Sequence, residues 1–162
     1  ERYTGHVFQV ESALTGLSDS MKAFLADIGQ KKNDALDCAL LLTEKIHAHM
    51  CYTQGSTQID TTAMEAFQQQ KGVCQDYAHI LIAMCRACGI PARYVNGFMQ
   101  GTGVTHAWVE VLANGEWRGI DPTHNRLIEY GYIKLAHGRD AWTVGSIVEF
   151  LPATLRSRPK SE

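Results

Sequence analysis

Residues 71–99 read KGVCQDYAHILIAMCRACGIPARYVNGFM, and the sequence pattern changes from helix to strand within them. From Cys74 to Cys88 apolar side chains recur at helical spacing. Gly89 and Pro91 are typical of a helix C-terminus. The next residues, Ala92–Met99, contain Tyr, Val and Phe, which favour strands. The stretch therefore predicts a helix that leads directly into a β-rich second half.

Upstream of this stretch the pattern predicts further helices. The segments are a loosely packed lead-in (Glu1–Leu17), a helix capped by Ser18 that ends at Ile28 before Gly29, a helix capped by Asn33 that ends near Met50, a loop (Tyr52–Asp60), and a short helix capped by Asp60 or Thr61 that ends near Lys71 and Gly72. Helices thus occupy most of the first half of the chain.

Downstream of Pro91 the pattern predicts strands. They are Ala92–Met99, Thr105–Ala113, Glu116–Asp121, Tyr132–Ala136 and Ser146–Leu151. Asn114-Gly115 is a strong signal for a two-residue hairpin turn. Helices followed by strands indicate an α+β fold. We expect one domain over residues 1–155 and a flexible tail over residues 156–162.

Composition excludes several classes of function. The 162 residues include 15 basic and 17 acidic side chains, a net charge of −2, without the basic stripe of a nucleic-acid-binding protein. The longest apolar run, Ile80–Cys85, is far too short to span a membrane. Five cysteines form an odd set, which favours reduced thiols in the cytoplasm. We therefore expect no nucleic-acid partner and no membrane insertion.

Cys74 is the candidate nucleophile. It follows Gly72-Val73 and opens the predicted helix. Free N–H groups and the helix dipole at such a position favour a thiolate, which is the reactive form of cysteine. The other four cysteines lack this setting. The alternative is that Cys74 is a small residue that fills a helix start.

The hairpin predicts a partner pair for such a thiol. A two-residue turn pairs Ala113 with Glu116, so that Trp108 faces Asp121 on the neighbouring strand. His106 is then a diagonal neighbour of Asp121 on the same face, about 7–8 Å away at the backbone. An imidazole and a carboxylate can meet there. Asp121 would then hold the tautomer of His106 and stabilise its imidazolium, and His106 would deprotonate Cys74 and later protonate the leaving amine.

Four ordered blocks resemble a known family. The blocks are Gly72-Val73-Cys74-Gln75-Asp76-Tyr77-Ala78-His79, Gly89-Ile90-Pro91-Ala92-Arg93-Tyr94-Val95, His106-Ala107-Trp108-Val109-Glu110-Val111 and Asp121-Pro122-Thr123. They are similar to the core of the transglutaminase-like superfamily, most of all to bacterial members described as candidate cysteine proteases. The resemblance runs from about Ala35 to Val144. It implies a papain-like fold, with the nucleophile at a helix N-terminus packed on an antiparallel sheet, and a catalytic triad of Cys74, His106 and Asp121.

The sequence departs from the family at the oxyanion site. Animal transglutaminases place a Trp before the nucleophile, whereas all three Trp residues of this chain follow Cys74. The backbone N–H of Cys74 is one expected donor, and Tyr52 or Gln54 is a candidate second donor. Gln75 is a further candidate for substrate or oxyanion contact. Trp108 is expected to shield the His–Asp pair or to pack in the core.

Other motifs favour structural roles. We expect Asp76 to stabilise the helix N-terminus, and His79 to be a packed or rim residue. The Cys85-x-x-Cys88 pair lies inside a helix, which favours buried small residues over redox chemistry. A zinc site at His47 and Cys51 lacks a second ligand pair nearby. No cofactor and no metal are therefore expected.

Together these features predict a thiol acyl-transfer enzyme that acts on an amide of a peptide or protein substrate through a thioester. Water as acceptor would make it a protease or amidase, and a primary amine would make it a transglutaminase. We favour hydrolysis, because the core lacks acidic clusters typical of calcium loops. A non-catalytic peptide-binding module is the alternative of another class. The sequence does not define the oligomeric state.

Overall fold

The computed structural model describes residues 4–28 and 34–148, and it has the α+β architecture expected from the sequence. The helices are α1 (Thr4–Val7), α2 (Asp19–Ile28), α3 (Ala35–His49), α4 (Ala63–Gln69), α5 (Cys74–Ala87) and α6 (Ala141–Val148). The strands are β1 (Cys51–Tyr52), β2 (Lys71–Gly72), β3 (Ala92–Met99), β4 (Thr105–Ala113), β5 (Glu116–Asp121), β6 (Arg126–Leu127) and β7 (Tyr132–Gly138). The sequence pattern missed the short strands β1, β2 and β6.

The core lies between helix α5 and a five-stranded antiparallel sheet. The sheet has the strand order β6-β5-β4-β3-β7, and α5 packs on its central strands β3 and β4. All residues of α5 from Asp76 to Arg86 are buried, because α3 and α4 also pack against this helix. The arrangement brings the N-terminus of α5 to the sheet that carries His106 and Asp121.

The hairpin prediction is confirmed. Strands β4 and β5 have the predicted bounds, and Leu112 pairs with Trp117 and Glu110 with Gly119 in the predicted register. Asn114 has φ of 53° and its neighbour Gly115 has φ of 79°, as a type I′ turn requires.

Gly97 allows β7 and a tryptophan to approach β3 closely. The pairing of β3 with β7 shifts between Asn96 and Gly97. A Cβ atom at Gly97 would collide with the carbonyl oxygen of Ile133 and lie 2.6 Å from the ring of Trp108. Glycine is therefore needed here for Trp108 to lie beneath the site described below.

The predicted helix caps were partly wrong. Ser18 does accept a hydrogen bond from the backbone of α2. However, Asp34 caps α3 in place of Asn33, which lies outside the described residues. Thr62 caps α4 in place of Asp60 or Thr61, because Thr62 alone has Glu65 three residues on to complete a capping box.

The lead-in is packed, contrary to the prediction. The buried Arg86 guanidinium donates to the carbonyl oxygen of Phe8 at 2.9 Å and to the hydroxyl of Thr15 at 2.8 Å. It also donates to the carbonyl oxygens of Ala92 and Arg139. One long side chain thus attaches the N-terminal segment to the centre of the molecule, 71 and 78 residues away in sequence.

The C-terminal prediction was also wrong in part. Residues 146–148 belong to α6 and form no strand. Asp140 and Thr143 exchange hydrogen bonds between side chain and backbone at the start of α6, a helix signal that the sequence analysis overlooked. Residues 149–151 and the predicted tail (residues 156–162) lie outside the described residues.

Within the described ranges no helix is both long and apolar enough to span a bilayer. The cytoplasmic location stays a prediction.

Candidate active site

Cys74 is the first residue of α5, as predicted, and it is partly exposed. Val73 precedes the helix and provides no side-chain cap. Asp76 substitutes for a cap, because its Oδ2 accepts a hydrogen bond from the N–H of Val73 at 2.8 Å. The N–H of Cys74 has no partner within the helix, as is usual for the first residue, so it is available to a ligand.

His106 and Asp121 are in direct contact. Nε2 of His106 lies 2.9 Å from Oδ2 of Asp121. His106 is 7% exposed and Asp121 is fully buried. If His106 is neutral and donates from Nε2, its other nitrogen, Nδ1, carries a free lone pair and can accept a proton.

Asp121 accepts four further hydrogen bonds. Its Oδ2 also receives the hydroxyl of Tyr132 at 2.6 Å and Nδ1 of His124 at 2.8 Å. Its Oδ1 receives the backbone N–H groups of Thr123 and His124. Burial alone would raise the pKa of Asp121, but His106, Tyr132 and His124 lower it to about 2. The carboxylate is therefore ionised throughout the physiological pH range.

The Cys74 thiol also raises the pKa of the His106 imidazole. Burial lowers the pKa of His106, but the hydrogen bonds and negative charges of Asp121 and Cys74 outweigh burial and raise that pKa to about 9. The imidazole is therefore protonated at neutral pH when it faces a thiolate. The structure brings together the three residues that the sequence predicts as a triad.

His124 and Tyr132 were not predicted as site residues from the sequence. A signal for His124 was present, because an aspartate often accepts hydrogen bonds from the backbone two and three residues on, and Asp121-Pro122-Thr123-His124 begins with one. Tyr132 gave no comparable local signal. It belongs to β7, an edge strand that pairs with β3.

Trp108 and Tyr132 cover the His106 side of the site. Trp108 is 3% exposed, and its ring centroid lies 6.4 Å from that of His106. The Tyr132 ring meets Trp108 edge-on at 5.2 Å. Both rings limit the access of water to the His106–Asp121 hydrogen bond, which is the shielding expected of Trp108.

Tyr52 is the oxyanion candidate that lies near the sulfur. Burial raises the pKa of its phenol, the negative charge of Cys74 raises it further, and an interaction with the Gln54 amide lowers it. The Gln75 amide donates to the carbonyl oxygen of Ile59 at 2.9 Å and so attaches α5 to the preceding loop. Contact of Gln54 or Gln75 with an oxyanion stays a prediction.

Asp76 joins the start of α5 to the loop after β1. Its Oδ2 accepts the hydroxyl of Thr57 at 2.6 Å as well as the Val73 N–H. Its Oδ1 is buried without a partner among the described residues, and burial raises the pKa of this carboxyl. Gly72 leaves room for Asp76, since a Cβ there would lie 2.6 Å from the Asp76 Cβ. The structural role predicted for Asp76 agrees with these contacts.

His106, Asp121 and His124 could in principle hold a metal ion, because one potential ligand atom from each lies within 4.8 Å of the others. Hydrogen bonds to a single carboxylate oxygen already account for this grouping. In the part of the chain that the structure describes, His47 and Cys51 do not belong to any such group.

Two other motifs have structural roles. His79 is fully buried, its Nε2 accepts the N–H of Ala141 at 3.0 Å, and burial lowers its pKa to about 4, so it is a packed neutral residue. Cys85 is buried as expected, but Cys88 at the end of α5 is exposed.

The geometry agrees with the matches to known proteins. The model of the transglutaminase-like superfamily matches residues 22–122. Uncharacterized proteins of Mycobacterium tuberculosis and Mycobacterium bovis are 33% identical in an alignment of 140 positions that covers 76% of this chain and 45% of theirs. The chain thus spans about half the length of these relatives.

Solved structures show the same fold. A candidate cysteine protease from Cytophaga hutchinsonii superposes with a TM-score of 0.77 at 33% identity, over 86% of this chain and 48% of that one. The periplasmic domain of TgpA from Pseudomonas aeruginosa superposes with a TM-score of 0.58 at 21% identity, over 77% of this chain and 48% of that one. The papain-like fold expected from the sequence is confirmed.

Proposed function

Because the chain belongs to the transglutaminase-like superfamily, we propose that it is a cysteine-dependent acyl-transfer enzyme that hydrolyses amide bonds of peptides or proteins through a thioester. The His106 imidazole supports this proposal most. It forms a hydrogen bond with Asp121, and Cys74 contributes to its raised pKa. A pKa of about 9 for His106 supports an imidazolium that can give a proton to the leaving nitrogen at neutral pH.

In the proposed first step, the Cys74 sulfur forms a bond to the amide carbonyl carbon. The C–N bond then breaks, and the His106 imidazolium gives its proton to the leaving nitrogen. In the second step, neutral His106 takes a proton from water as the water oxygen attacks the thioester. The S–C bond breaks, the acid is released, and the thiolate–imidazolium pair is restored. Asp121 keeps its charge and orients His106 throughout.

We assign the oxyanion to two donors. The N–H of Cys74 is unpaired within its helix, and the Tyr52 hydroxyl belongs to a residue that is 48% exposed and senses the charge of Cys74. Removal of one such donor typically costs about 10²–10³ in kcat. Tyr52→Phe retains the ring and tests this assignment by its kcat.

The first experiment compares two thiols of one helix. Cys74 lies at the N-terminus of α5. Cys88 follows the C-terminus of α5, and partial burial of its sulfur, together with the neighbouring Cys38, raises its pKa to about 11. Iodoacetamide near neutral pH should alkylate Cys74 far faster than Cys88, as mass spectrometry of the modified peptides would show. Equal rates would favour the non-catalytic binding module.

The second experiment measures the acceptor. Glutamine-containing peptides and a peptide mixture are incubated with and without a primary amine, and products are identified by mass spectrometry. We expect hydrolysis that is lost in Cys74→Ala and retained in Cys88→Ala. Amine incorporation that outpaces hydrolysis would make the protein a transglutaminase instead.

A further inference from the structure

A pocket of about 310 Å³ opens next to the partners of His106. It is lined by the end of β3 (Met99, Gln100) and by residues 126–132. Tyr132 belongs to the pocket wall and also donates its hydroxyl to Asp121 at 2.6 Å. One side chain therefore separates the pocket from the carboxylate that holds His106.

Arg126 presents an unpaired cation to this pocket. Its Nε and Nη2 donate to the Tyr132 hydroxyl at 2.9 and 2.7 Å, and Nη2 lies 3.4 Å from the sulfur of Met99. Among the described residues Nη1 has no hydrogen-bond partner, and no carboxylate lies within ion-pair distance of the guanidinium. Glu129 lines the same pocket without forming such a pair. The guanidinium is thus held in place with donors still free.

The chemistry of the site determines which part of a substrate meets this pocket. His106 can protonate the leaving nitrogen only if that nitrogen lies beside its ring. The chain that continues from the leaving nitrogen therefore starts beside His106, and the ring centroid of Tyr132 lies 6.3 Å from that of His106. The pocket lies on that side, because Tyr132 joins it to Asp121.

We propose that this pocket binds the leaving-group part of the substrate and that Arg126 selects a carboxylate there. The inference rests on the proposed function. The substrate class is then a peptide in which Glu or Asp follows the scissile bond within a few residues. The free N–H groups of Nη1 can donate to a carboxylate, and the Tyr130 ring, 84% exposed, adds an apolar wall at the pocket.

The test of selectivity uses a peptide library whose cleavage sites are read by mass spectrometry. In the wild type we expect Glu and Asp to be enriched after the scissile bond, with kcat/KM about three- to tenfold higher for a Glu peptide than for its Gln counterpart. Arg126→Gln should bring this ratio of kcat/KM values close to one, mainly through a higher KM for the Glu peptide.

Two variants are the controls. Lys22→Gln removes an equivalent charge from the remote helix α2 and should preserve the ratio, and Glu129→Gln should preserve or increase it. Cleavage without acidic enrichment, or enrichment unchanged in Arg126→Gln, would overturn the inference.

A binding measurement separates this inference from the proposed function. Triglutamate and triglutamine are titrated calorimetrically into Cys74→Ala, where no reaction occurs. Triglutamate should bind about three- to tenfold more tightly, and Arg126→Gln should remove the difference. Equal affinities would contradict the inference even if the enzyme is active. Selective binding by a protein that hydrolyses nothing would contradict the proposed function and leave the carboxylate site intact.

Discussion

Asp121 and Asp76 are both buried carboxylates of the candidate site, yet their surroundings move their pKa values in opposite directions. Asp121 receives five hydrogen bonds, shared between its two oxygens, and its pKa falls to about 2. Asp76 receives two hydrogen bonds, both on Oδ2, and burial raises its pKa. Side-chain hydrogen bonds and the charge of His106 outweigh burial at Asp121, whereas the hydrogen bonds to Asp76 do not outweigh burial there.

The largest effect is expected at Asp121. Asp121→Asn removes the negative charge and places an amide N–H₂ opposite groups that now donate to the carboxylate. The imidazolium form of His106 then loses the carboxylate that stabilises it. We expect acyl transfer to fall about 10³–10⁴-fold, together with a slower alkylation of Cys74 by iodoacetamide at neutral pH.

Asp76→Asn is the matched control for that change. The Asn oxygen can still accept from Val73 and Thr57, and the N–H₂ replaces only Oδ1, which has no partner within residues 4–28 and 34–148. Activity should therefore stay within about threefold of the wild type. Thermal unfolding followed by circular dichroism establishes that both variants are folded. Equal losses in the two variants would show that donor number does not distinguish the carboxylates.

Gly72→Ala tests how tightly Asp76 is packed. The new Cβ would lie 2.6 Å from the Asp76 Cβ, so we expect a loss of about 1–3 kcal/mol in the free energy of unfolding. Gly145→Ala in α6 is the control, because no atom of the described residues lies within 4 Å of its Cβ position, and it should be neutral or stabilising by up to about 1 kcal/mol. Urea titrations compare the two. An unchanged stability of Gly72→Ala would mean that Asp76 moves aside freely.

The sequence predicted the local parts of this comparison and missed the distant ones. The hairpin that places His106 near Asp121 depends on a two-residue turn and strand alternation, both of which are readable over a few residues. Tyr132 reaches Asp121 only because β7 pairs with β3, and no local pattern specifies that pairing.

The errors elsewhere have related causes. Asn33 and Asp34 are both good helix caps and adjacent, so composition does not choose between them. The packing of the lead-in was not predictable from its own residues, because Arg86, which binds it, lies far along the chain. The pattern of residues 146–151 favours a strand, whereas the Asp140–Thr143 cap begins a helix that continues to Val148.

His124 offers a moderate test of donor number at Asp121. Its side chain is 41% exposed and supplies one of the side-chain hydrogen bonds to Oδ2. His124→Ala removes that bond and should lower kcat/KM about three- to tenfold. In His124→Asn the amide N–H₂ can donate from nearly the same position as Nδ1, so activity should return toward the wild type. If Asn and Ala variants are equally impaired, the role of His124 is something other than donation to Asp121.

The smallest effect is expected in the pH dependence of stability. A raised pKa means that the folded state holds the Asp76 proton more tightly than the unfolded chain does. The stability that this provides is complete below the ordinary value of about 3.9 and is lost as pH rises through the raised pKa.

Asp76→Asn has no such group. The difference between its free energy of unfolding and that of the wild type should therefore shift in favour of the variant as pH rises above about 4, and this difference should then become constant. Asp121 contributes with the opposite sign, since its stabilisation is present above about 3.9 and is lost as pH falls toward 2. That contribution is common to both proteins and cancels in the difference, which urea titrations at a series of pH values would measure. A difference that does not change with pH would mean that Asp76 titrates as it does in the unfolded chain, and the contrast between the two carboxylates would then come from Asp121 alone.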